Sequence, residues 1–215
     1  MIVIGLTGSI AMGKSTASAM LAQMDGVAVH CSDEAVARLY GDPAVIGLIK
    51  TTFPAAYDKK NKTIDKNRLL AELDEDHEKW DALEDILHPF VQRAQQEWLR
   101  AQQGLGTKIA VLDIPLLFET GAENRVDYTI CISAPGFIQK QRIAQRVAVG
   151  KITDESFHFR LSRQMPDEEK QRRADFVVQS GQGLAYTRRA LEKIIQALRG
   201  KHFDSDFKDS RSPRL

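Results

Sequence analysis

An α/β fold with a parallel, doubly wound sheet is what this 215-residue sequence predicts, and three observations carry the prediction. Its strand-like runs are short and almost wholly apolar, as strands covered by helices on both faces must be. Stretches with apolar residues at helical spacing fill the gaps between them. Gly8 to Ser15 reads GSIAMGKS, a G-x-x-x-x-G-K-[ST] phosphate loop, with a strand-like run before it and a helical pattern after it.

The elements follow in order. Ile2 to Leu6 is the first strand, and Ala17, Met20, Leu21 and Met24 give the next helix its core-facing stripe. Further strands are expected at Val27–His30, Ile109–Leu112, Tyr128–Ile132 and Phe176–Val178. Helices are expected at about 33–40, 66–74, 77–103, 136–149, 154–163 and 185–199, with Pro89 kinking or dividing the longest. Beyond Gly200 the string loses periodicity and mixes charges, which reads as a disordered tail over 200–215. Residues 1–199 are therefore expected to form one domain.

Each residue type in the loop has a chemical reason. Gly8 and Gly13 lack a Cβ and let the backbone turn tightly around a polyphosphate. Backbone N–H groups of Ala11, Met12 and Gly13 form an anion nest, and the following helix adds its positive end. Lys14 is a mobile cation for the β- and γ-phosphates, Ser15 brings a hydroxyl for Mg²⁺, and Thr16 closes the loop on the α-phosphate side. ATP and Mg²⁺ are thus the expected cofactors.

Composition narrows the partners. A formal net charge of +1 gives no global reason to expect nucleic acid or an anionic membrane. Cys31 and Cys131 are the two cysteines, with no C-x-x-C and no zinc spacing, so a reducing cytoplasm is expected. The sequence has no 18-residue apolar run and no signal-peptide pattern, so no membrane partner is expected.

Groups outside the loop must decide where the γ-phosphate goes, and three regions offer them. Ser32-Asp33-Glu34 follows the second strand, at the carboxyl edge where open α/β sheets bind ligands. Asp33 there can accept a hydroxyl proton, and helix N-capping by Ser32 or Asp33 is a compatible role. Asp113 ends the strand Ile109–Leu112, where it can hold Mg²⁺ or simply serve a turn. The stretch from Gln139 to Arg173 carries nine basic and five acidic residues. Most of these form a solvated face, but Arg142 and Arg146 lie four apart on one helical face and can act from a lid over about 139–173.

Together these strings go beyond a generic phosphate loop. The opening IVIGLTGSIAMGKST, DEAVARLY from Asp33, ILHPFV from Ile86, VLDIPLLFETG from Val111 and RQMPDEEKQRRADFVV from Arg163 resemble the dephospho-CoA kinase family over about Ile2 to Leu198. The resemblance implies a P-loop NTPase three-layer αβα fold with a helical lid and a small helical acceptor-binding insertion over about 60–105. It implies transfer of the ATP γ-phosphate to the 3′-hydroxyl of the dephospho-CoA ribose, the last step of coenzyme A synthesis. By resemblance the base falls on Asp33, the lid arginines on Arg142 and Arg146, and the acceptor-binding stretch on Leu116, Phe118 and Glu119. His88, in the matching His-Pro pair, is placed near the acceptor. A monomer or weak homo-oligomer acting on a small molecule is expected.

Two departures from the family pattern stand out. Ala11 occupies a loop position where the family usually has Gly, which restricts the backbone if φ must be positive. Cys31-Ser32-Asp33 stands where D-x-D is common, so the first carboxylate is missing while Asp33 is kept. Two rival readings use the same loop. One is a kinase for another small alcohol; the other is a nucleotide switch, against which the guanine-reading N-K-x-D string is absent, Asn61-Lys62-Thr63-Ile64-Asp65 placing its Asp one residue late.

Overall fold

The computed structural model describes residues 1–74, 76–150 and 153–200, without the side chains of 154–156. The expected disordered tail at 201–215 lies outside the described residues. The chain divides into two compact units, Met1–His30 with Gln102 onward, and Cys31–Ala101.

The first unit is built on a five-stranded sheet of β1 (Ile2–Thr7), β2 (Val27–Cys31), β5 (Ile109–Asp113), β6 (Tyr128–Ser133) and β7 (Phe176–Gln179), in the order β2-β5-β1-β6-β7. β1 lies between β5 and β6 and runs parallel to both, with Ile2 opposite Ile109 and Ile4 opposite Tyr128; β7 is parallel to β6. All five expected strands are present. β5 and β6 are buried along their whole length, which is why they carry no polar alternation.

The two sheet faces differ in chemistry. One face presents Ile4, Leu6, Val111, Ile130, Ile132 and Val178 to α1 (Lys14–Ala22) and α9 (Leu184–Gly200), which contribute Ala17, Leu21, Leu191 and Ile195 to the same core. The other face mixes small and polar residues, Gly5, Thr7, Ala110, Thr129, Cys131 and Ser133, with Val3, Leu112 and Val177. A Cβ on Gly5 would lie 2.9 Å from the methyls of Leu117, so the glycine makes room for the segment after β5. Polar side chains on this face bond to that segment, Thr7 to the Pro115 carbonyl, and to α8 (Asp167–Arg173), Ser133 to Asp167. The α6 helix (Gly136–Ala148) and α7 (Asp154–Ser162) complete the unit.

The second unit has its own core. It holds α2 (Ser32–Leu39), α3 (Pro43–Thr52), a two-residue hairpin of β3 (Tyr57–Asp58) and β4 (Thr63–Ile64), α4 (Lys66–Leu73) and most of α5 (His77–Gly104). Val45, Ile49, Phe53, Leu69, Leu73, Leu83 and Leu87 are its buried centre. This unit takes in more chain than the expected insertion over 60–105, beginning where β2 ends.

Three local expectations are corrected. Pro89 does not divide the long helix, which runs unbroken from His77 to Gly104 with the proline inside it. Neither Ser32 nor Asp33 caps α2: the N-cap is Cys31, which makes no side-chain cap bond, and both polar residues lie in the first turn. Helices α3 and α8 are additions to those expected from periodicity. The first is announced by Asp42, whose carboxylate accepts from Ala44 and Val45 N–H, and by Pro43 at its start.

Candidate active site

The phosphate loop leaves β1 through backbone conformations that constrain which residues it can hold. Gly8 has φ 157°, and a Cβ there would fall 2.5 Å from the Ile132 carbonyl oxygen. Gly13, the N-cap of α1, has φ 96°. Ala11 also takes a left-handed conformation, φ 64°, so the backbone demand raised by this departure is met with an alanine. Its methyl is buried with Ile143 of α6 and Phe157 of α7.

No side chain caps α1, so its first-turn amides are available to an anion, and Ser15 and Thr16 stand exposed there. Lys14 is ion-paired and hydrogen-bonded to Asp113, whose carboxylate is 3 % exposed at the end of β5. The sequence-derived cation and carboxylate are therefore brought together. Asp113 stands opposite Leu6 in the sheet register, one strand over from the point where the loop begins.

Side chains from the 139–180 region hold the loop through its main chain. Gln164 Oε1 accepts from Ile10 N–H at 3.0 Å, and Gln139 Nε2 donates to the Ile10 carbonyl at 2.8 Å. Arg142 Nη1 donates to the Ala11 carbonyl at 3.1 Å and to Ser180 Oγ at 3.0 Å, while Nη2 donates to the Ser180 carbonyl. Ser180 Oγ in turn donates to the Met12 carbonyl at 2.5 Å. Three consecutive loop residues are thus held through their main chain. Gln139, Gln164 and Ser180 were not singled out from the sequence. Gln164 sits in the RQMP string and Ser180 follows the last strand at the sheet's carboxyl edge, signals that mark their places without naming their contacts.

Beside the loop lies a cavity of about 480 Å³ lined by Gly13, Thr16, Arg142, Arg146, Leu184 and Thr187, among others. Leu184 is 67 % exposed, an apolar wall open to solvent. Arg146 is exposed at this cavity, whereas Arg142 is half-buried and engaged on the loop.

The acceptor-stretch residues have internal partners. Phe118 is buried beneath the Arg173 guanidinium, 4.9 Å from its ring centre, and Leu116 is half-buried. Glu119 accepts from Met165 N–H at 2.7 Å and pairs with Lys170 at 2.8 Å. Nearby Cys131 is fully buried, and burial, aided by the Asp167 charge, pushes its thiol up to about 12. In the second unit, Asp33 is exposed in the first turn of α2, and neighbouring Ser32 accepts a hydrogen bond from buried Gln95 at 3.1 Å. His88 is half-buried within α5.

Comparison with known proteins gives a family match. The family model described as dephospho-CoA kinase matches residues 2–185. A dephospho-CoA kinase of Mesorhizobium japonicum is 44 % identical over 94 % of this chain and 98 % of its own. The crystal structure of TT1252 from Thermus thermophilus superposes with a TM-score of 0.76 at 34 % identity, covering 93 % of this chain and 98 % of that one. The dephospho-CoA kinase from Campylobacter jejuni gives 0.66 at 29 % identity over 91 % and 96 % of the two chains. With a phosphate loop and its lysine–aspartate ion pair on a chain that matches the family model over residues 2–185 and a relative at 44 % identity over 94 % of its length, this protein belongs to the dephospho-CoA kinase family.

Proposed function

We propose that this kinase transfers the γ-phosphate of ATP to the ribose 3′-hydroxyl of dephospho-CoA, giving coenzyme A and ADP in the last step of coenzyme A biosynthesis. The observation that carries the reading is the preformed phosphate loop, with Lys14 paired to Asp113 and the 480 Å³ cavity beside it. A purine base and ribose suit a half-apolar cavity with Leu184 as a wall and two guanidinium groups at its edge.

The donor set also fits a magnesium ion. Mg²⁺ keeps several waters and uses one or two carboxylates together with phosphate oxygens. Ser15 Oγ and the Asp113 carboxylate are such donors, and among the described residues no group of three or more acidic, His or Cys side chains forms an all-protein cage. When bound, the ion supplies positive charge at the β- and γ-phosphates. Lys14, released from Asp113, adds a second cation there, and Arg146 a third from the cavity edge. Arg142 holds the loop in shape and so acts on the charge it cradles. Asp33 accepts the proton of the 3′-hydroxyl as that oxygen attacks the γ-phosphorus in line. His88, Leu116, Phe118 and Glu119 belong to the acceptor side, Phe118 and Glu119 supporting it from within.

The test is ADP release at fixed ATP and Mg²⁺ with dephospho-CoA, beside adenosine, uridine and no acceptor. ADP formation that requires dephospho-CoA, with coenzyme A as product, is the expected result. Hydrolysis without an acceptor, or turnover of adenosine in preference, would remove this substrate assignment.

A further inference from the structure

Among the described residues Lys170 is the largest fully buried side chain, with no exposed surface, and nothing in the reaction so far uses it. Its ammonium donates to the Pro115 carbonyl at 3.0 Å and pairs with Glu119 at 2.8 Å. Pro115 and Glu119 bracket the turn that follows β5. The Pro115 carbonyl takes a second hydrogen bond, 3.0 Å, from Thr7 Oγ1 at the end of β1, and the adjacent Ile114 N–H bonds to the Leu6 carbonyl. Two residues upstream of Pro115 stands Asp113, the partner of Lys14.

A buried ion pair gains little over an apolar pair of the same shape, because desolvation offsets the attraction. Fold stability therefore does not explain an ammonium here. What a leucine or methionine could not do is donate to two points of one turn at once. Lys170 does so from a segment that also reaches the phosphate loop: Gln164 bonds to Ile10 N–H, and Asp167 accepts from Ser133 Oγ at 2.6 Å and from Ser9 Oγ at 3.5 Å. One stretch of chain, 164–170, thus sets the phosphate loop and the Asp113 turn against each other.

We infer that Lys170 is a positioning residue for phosphoryl transfer, holding the Asp113 turn at its working distance from Lys14 through the Pro115 carbonyl and the Glu119 carboxylate. The inference rests on the kinase reading above. Misplacement of a reacting constellation by about 1 Å is enough to lower a rate by roughly 10²-fold.

Steady-state kinetics and thermal melting of Lys170→Met, and of the double variant Lys170→Met with Glu119→Gln, test it. The single variant strands a half-buried carboxylate and melts lower. In the double variant the charge is gone and the side-chain amide oxygen at position 119 can still accept from Met165 N–H, so melting recovers most of the way to wild type. The expected split is a kcat at saturating dephospho-CoA that stays at least about tenfold low, with KM for ATP within about twofold of wild type. Recovery of kcat together with melting would make Lys170 structural only and overturn the inference. Should neither variant fold, Thr7→Val, which removes the other donor to the same carbonyl, is expected to lower kcat about three- to tenfold at unchanged melting temperature, and unchanged kcat would overturn it. Wild-type enzyme run in parallel separates the two failures: if it is inert with dephospho-CoA the substrate reading falls, and this inference with it.

Discussion

A side chain that takes a proton from an incoming hydroxyl needs oxygens that no other group occupies. Asp33 meets that need: it is exposed and has no hydrogen-bond or ion-pair partner among the described residues. Asp33→Asn keeps shape and loses the proton acceptor, so ATP binding is expected to hold while phosphoryl transfer falls by about 10² or more. Single-turnover rates set beside ATP affinity measure this, and near-normal transfer would remove Asp33 from the role. At this scale the residues the string offers as candidates are those whose chemistry is tied to a motif: Lys14, Ser15, Asp113. Gln139, Gln164 and Ser180 bond to main-chain groups, which every residue owns, so no pattern of letters points to them. Glu119 was readable as present in the right stretch; its partner was not, because a lysine in a charged helix gives no sign of being buried.

Between elements, the phosphate loop is packed against α6 and α7. The Ala11 methyl lies with Ile143 and Phe157, backed by Val147 and Leu161. A left-handed alanine costs about 1 kcal/mol relative to glycine, and burying one methyl returns about 0.8 kcal/mol. The two nearly cancel, which accounts for alanine being tolerated where φ is 64°. Ala11→Gly is therefore expected to change unfolding free energy by less than about 0.5 kcal/mol in urea titrations. A gain above about 1 kcal/mol would mean that the methyl contact contributes nothing. Strands were the most legible elements because burial on both faces leaves them wholly apolar. The α8 helix was the least legible: DEEKQRR has no apolar stripe, and the face it buries is made by Lys170, a residue that reads as surface.

For the molecule as a whole, nucleotide binding and folding are linked, since the loop that cradles phosphate exists only in the folded chain. A ligand at 100 times its Kd adds about 2.7 kcal/mol. For a chain of this length that corresponds to a rise in melting temperature of roughly 5–10 °C with ATP and Mg²⁺. Scanning calorimetry at rising ATP measures it, and an unmoved transition at millimolar nucleotide would contradict the phosphate-loop reading. Fold class followed from strand and helix patterns, whereas the extent of the second unit did not. Its start at Cys31 depends on α2 and α3 packing with the later helices into one core, and such long-range contacts leave no local mark.

The sheet order also sets a timetable. β1 is made early, yet both of its neighbours, β5 and β6, come from beyond residue 108. At roughly 5–20 residues per second on the ribosome, the strand that launches the phosphate loop waits on the order of ten seconds for its first partner. Throughout that interval IVIGLT is an apolar ribbon with two open edges. The strand that launches the phosphate loop is thus open to mispairing during synthesis, and holding by a chaperone over that interval would protect it.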